Sequence, residues 1–195
     1  MMKILHLLGF LAILALAACA SNPLSEPGDR DSTEVTALRH AILALGDGID
    51  PEEAERAARI ASTHTRHLAR EYRFTDPPLI HNAKVHMGLR DRGLCYHWAE
   101  DIEARLQQEE FRTLELHRAI SPETLVRLEH STTIISRKGD SLFDGVLLDP
   151  WRAGGTLFWI KVRDDASYDW RPKSEVLATR LQSTETREQL LSVSP

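Results

Sequence analysis

Three side chains in this chain are of the types that together make an activated nucleophile. Cys95 sits in "RGLCYHWAEDI", two residues after Gly93, at what should be the start of a helix. There the unpaired backbone N–H groups and the positive end of the helix dipole favour a thiolate. The same N–H groups can serve as an oxyanion hole. His130 stands in "LEHSTTII", whose β-branched residues predict a strand, on one face with Leu128, Thr132 and Ile134. Asp149 closes "VLLDPW", the end of the next expected strand, from which a carboxylate can reach a histidine on the neighbouring strand. In such a set the histidine takes the thiol proton, and the carboxylate fixes its tautomer and stabilises its charge. Each residue also has a plainer reading. A helix cysteine can be a small buried hydrophobe, a strand histidine a satisfied core residue, and Asp149 before Pro150 a turn starter.

The chain has 195 residues and two cysteines. The other is Cys19, in "LAAC" after an opening of Lys3 and an apolar run from Ile4 to Ala18. This reads as a secretory leader over residues 1–18, too short for a membrane span of about 20 apolar residues. "LAAC" resembles the bacterial lipobox. That resemblance implies cleavage before Cys19, lipidation of Cys19 as the mature N-terminus, and attachment to a membrane, with Ala20 favouring the outer membrane facing the periplasm. Acyl chains gain about 0.8 kcal/mol per buried CH₂, so a multiply acylated cysteine holds firmly. Cys95 is then a lone thiol in a compartment where cysteines are usually paired.

These residues need elements to position them. Residues 19–32 read as a polar tether containing two prolines, and residues 33–195 as a single domain. A helix is expected from Ser32 or Thr33 to Gly46 or Gly48. A longer one opens at Asp50 as N-cap with Pro51 behind it, carries a stripe of small residues from Ala54 to Ala61, and ends at "TDPPL". A short helix and a loop lead to Gly93. Cys95 to about Glu109 is the next helix, with Leu94, Trp98, Ile102 and Leu106 in one stripe. Four strands follow in "FRTLELHRAI", "LVRLEHSTTIIS", "SLFDGVLLDPW" and "GGTLFWIKV", then a helix in "PKSEVLATRLQS". Helices first and short-linked strands later make the fold class α+β, with N-terminal helices packed on an antiparallel sheet.

The segments "RGLCYHWAEDI", "EHSTTII" and "VLLDPW", in that order, resemble the transglutaminase-like superfamily of papain-like cysteine enzymes. The resemblance covers about Leu89 to Trp159 and implies a papain-like core, Cys95 as nucleophile, His130 as base and Asp149 as orienting carboxylate. It implies acyl transfer through a thioester on a peptide or protein substrate, by hydrolysis or amide exchange, without metal or cofactor. The chain lacks the aromatic residue usual soon after the family's histidine, having "HSTT", and no side chain that would assist the oxyanion is recognisable. An inactive binding or scaffolding lipoprotein that keeps the fold is the alternative.

Other features point elsewhere less strongly. His64 and His67 are i, i+3 on the long helix, and His81 and His86 flank the next segment, but no HExxH pattern accompanies them. His97 is two residues from Cys95 and should point away from it; His117 is a substitute for His130 on a more exposed strand face. A net charge of −5 without a basic cluster gives nucleic acid no electrostatic purchase.

Overall fold

The computed structural model describes residues 27–193, with side chains from 32 to 189. The leader, Cys19 and the first part of the tether lie outside the described residues. Helix α1 spans Pro27–Leu43, beginning five residues before Ser32, so the end of the expected tether is helical. Pro27 explains the earlier start, since proline suits the first turn, where an N–H has no partner anyway. Helix α2, Pro51–Glu71, is capped as the sequence predicts: the Asp50 side chain accepts the Glu52 N–H. Its small residues Ala54, Ala57, Ala58 and Ala61 are fully buried. Helix α3 is Pro78–His86 and helix α4 is Cys95–Gln107.

The strands are β1 Leu114–Ser121, β2 His130–Arg137, β3 Val146–Leu148 and β4 Trp159–Lys161. A two-residue strand β5, Arg171–Pro172, pairs with β1 and leads into helix α5, Lys173–Val193. The sheet is antiparallel throughout, ordered β4-β3-β2-β1-β5. The third expected strand is shorter than its sequence, because Leu142–Asp144 winds into a 3-10 turn. No signal announced β5: it is short and ends in proline, which sequence reading assigns to turns. The protein is thus a mixed α+β fold, with five α-helices and one five-stranded antiparallel sheet among the described residues.

Both faces of this sheet are covered. One carries the helical core, in which Ile135, Val146 and Leu148 meet Ala57, Ala61, Trp98 and Ile102. On the other, Ala119, Ile134 and Leu147 pack with Leu142, Val162 and Trp170. Double coverage is why β2 is buried at every residue but its last and shows no apolar–polar alternation. The described residues from Glu34 onward form one compact unit.

Candidate active site

Gly93 sets the start of α4. Its φ is +122°, and a Cβ there would lie 2.2 Å from the His81 Nε2 atom. His81 is fully buried, stacks on Phe74 and bonds the Arg92 carbonyl at 3.0 Å. The Trp98 indole N–H donates to the Gly93 carbonyl at 3.1 Å, fastening the helix from inside. Trp98 itself is a core residue, edge-on to Tyr72 and Phe74.

His97 is not a free side chain turned to solvent. It is buried, and its Nδ1 accepts the N–H groups of Gly93 at 3.1 Å and Leu94 at 3.2 Å. It reaches back over the helix start as the third residue of a capping box does. Burial, then the Arg92 charge, lowers its pKa, which suits a neutral accepting nitrogen. With those two amides occupied, the N–H groups of Cys95 and Tyr96 are the first-turn donors left to face a ligand. The Cys95 thiol is half-buried, its Sγ 4.0 Å from the carbonyl of Glu129, the residue before β2.

His130 is the first residue of β2 rather than an interior one, and Leu128 lies in the connection before it, exposed. The ring is 1% exposed. Its Nε2 bonds Asp149 Oδ2 at 2.6 Å. Its Nδ1 is buried and has no hydrogen-bond partner. Burial works against the charged imidazole, yet the Asp149 hydrogen bond and then the nearby Cys95 side chain outweigh it, raising the His130 pKa to about 9. The imidazole is therefore held between the carboxylate and the thiol. Nδ1 makes no fully formed hydrogen bond, yet the Cys95 side chain is close enough to favour the ring's proton as a hydrogen-bond partner does. Trp151, Tyr168 and Trp170 surround the ring, with centroids 4.9, 4.7 and 5.6 Å away, and such faces favour a cation.

Asp149 both starts a turn and pairs with the histidine. Its Oδ1 accepts the Arg152 N–H at 3.1 Å across Pro150 and Trp151, and its Oδ2 takes His130. The same Oδ2 accepts from Arg152 Nε at 2.9 Å. Arg152 continues to Asp165 through two further bonds, of 3.2 and 2.8 Å, and Asp165 also accepts the Trp170 indole N–H. Burial would raise the Asp165 pKa, but Arg152 and Trp170 hold it below the usual carboxylate range. Two carboxylates, one guanidinium and one imidazolium thus close a neutral network, which is the condition for keeping charges buried. Arg152 also lies over the rings of Phe158 and Tyr168.

Cys95, His130 and Asp149 are thus together. His117 is elsewhere: its Nε2 meets Ser136 Oγ at 2.8 Å across β1 and β2. His64 and His67 stack on each other, and among the described residues no group of three or more His, Cys, Asp or Glu is placed to hold a metal ion. Sequence reading missed Arg152, Asp165 and Trp170. "DPWR" and "DDASYDW" carry no motif, and only the turn after β3 and the covering loop bring them to Asp149. No protein-family model, curated protein or solved structure matches this chain.

Proposed function

We propose that the protein is a lipid-anchored cysteine enzyme of the bacterial cell envelope, of transglutaminase-like type with a papain-like core. The observation that carries this reading is the state of His130: buried, bound to Asp149 through Nε2, and leaving Nδ1 unpartnered beside Cys95. An unpartnered buried nitrogen does not mark a site by itself, since His81 Nδ1 is another; at His130 it comes with a carboxylate on Nε2 and a thiol close to the ring. In the reaction, the proton of Cys95 already rests on His130 Nδ1, and the thiolate sulfur attacks the acyl carbon of an amide. As the C–N bond breaks, the proton on Nδ1 passes to the departing nitrogen and the acyl group remains as a thioester. Water or a second amine then attacks, its proton going to His130, and Cys95 is released. The first-turn N–H groups of Cys95 and Tyr96 are the donors for the oxyanion. Asp149 holds the Nε2 proton throughout, and Arg152 with Asp165 holds Asp149.

The test is alkylation of Cys95 by iodoacetamide at pH 7. The wild type should react at least about tenfold faster than a free thiol of ordinary pKa, and His130→Ala should remove the advantage. An ordinary rate, unchanged in His130→Ala, would leave a scaffolding protein that keeps the fold. The anchor rests on "LAAC" at Leu16–Cys19. Expressed in a bacterial host, Cys19→Ser should accumulate as an unlipidated precursor by mass, and a lipidated Cys19→Ser product would refute the lipobox.

A further inference from the structure

His130 forms part of the floor of an open cleft of about 450 Å³. Pro77, Pro78 and Leu79, at the start of α3, make one wall. Val126 and Leu128, from the connection between β1 and β2, line it too, and Trp151 and Tyr168 lie beside the histidine. Cys95 is not among the residues lining this space. The thiol is close to two residues that do line it, Glu129 and His130, so what fills the cleft lies on the histidine side of the pair. That side has a chemical meaning. The histidine exchanges its proton with the nitrogen that departs or attacks, so this part of the substrate must sit against it.

The lining states what that part is. Leu79 is 61% exposed, Val126 93% and Leu128 59%. Exposed aliphatic groups converging on one cleft mark a binding site rather than scattered surface residues. The charges around it are mostly spent: Glu129 pairs with Arg180, and Arg152 with Asp149 and Asp165. Arg127 lies over the Tyr168 ring, 5.1 Å from its centroid, with no carboxylate partner among the described residues. The uncompensated charge at the rim is thus positive and disfavours a cationic occupant.

We propose that this cleft is the subsite for the amine-side group of the substrate, and that it selects a bulky apolar, non-cationic residue there through Leu79, Val126 and Leu128. This rests on the reading of Cys95 and His130 as the reacting pair. The cleft's size matches one large side chain with room for the backbone on either side.

The probes are three alkylating reagents: iodoacetamide, N-(2-phenylethyl)iodoacetamide and the cationic N-(2-aminoethyl)iodoacetamide. Rates at Cys95 are divided by the rates with N-acetylcysteine to remove intrinsic reactivity. The phenylethyl reagent should show an advantage of about tenfold over iodoacetamide, as partial burial of a phenyl ring provides. The aminoethyl reagent should show none. Val126→Asp and Leu128→Asp should collapse the phenylethyl-to-iodoacetamide ratio towards one. Leu125→Asp, on the same connection but outside the cleft, should preserve it. A fast thiol with equal normalised rates for all three reagents overturns the subsite alone. So does a ratio that Leu125→Asp lowers as much as Leu128→Asp. A thiol with only ordinary reactivity towards every reagent overturns the reacting pair, and the subsite with it.

Discussion

The charge on His130 is a stability term that pH can remove. Its pKa stands at about 9 against an ordinary 6.5. At about 1.4 kcal/mol per unit, that difference is worth about 3 kcal/mol in favour of the protonated native state. The native protein keeps a proton that the unfolded chain gives up. The stabilisation is complete below pH 6.5 and disappears as pH climbs through 9. Asp149→Asn keeps the side-chain shape but removes the first group that raises the pKa. Burial then dominates, and His130 should titrate below 6.5. Urea unfolding of both proteins at half-unit steps from pH 6 to 9.5 measures this. Wild-type stability should fall by about 3 kcal/mol across the window, while Asp149→Asn should start lower at pH 6.5 and stay nearly flat. Groups remote from His130 titrate similarly in both proteins, so the difference between the curves isolates His130 with the two side chains coupled to it, Asp149 and Cys95. A wild-type curve flat from pH 6.5 to 9, or an equal slope in Asp149→Asn, would refute a buried imidazolium.

The remaining predictions probe the same site from its supports. Gly93→Ala places a Cβ 2.2 Å from His81 in a backbone conformation with positive φ. It should cost about 2–4 kcal/mol in thermal unfolding and slow Cys95 alkylation by shifting the helix start. Arg152→Ala leaves Asp149 and Asp165 as buried carboxylates without their shared cation, at about 3–5 kcal/mol. Adding Asp165→Asn to that variant should recover part of the loss, and strict additivity in this double-mutant cycle would show that the two are not coupled.

The sequence by itself determined much of this protein, because the signals were local. Asp50 and Pro51 start α2 through backbone donors within one turn, and the alanine stripe buries because its spacing matches the helix. Gly93 before Cys95 marked a helix start, since only glycine tolerates the positive φ beside His81. The order Cys95, His130, Asp149 could be read as a set from the residue types and their order, although His130 was expected inside its strand and stands at its start. Tertiary structure alone decided the rest. β2 shows no alternation, being covered on both faces, so the strand could not reveal which way His130 points. Spacing says only that His97 points away from Cys95; that it is a buried cap, its ring bent back to the amides of Gly93 and Leu94, is decided by the fold. Arg152, Asp165 and Trp170 are ordinary surface-type or core-type residues in the chain. Their role exists only where the turn after β3 and the loop before β5 bring opposite charges together away from water.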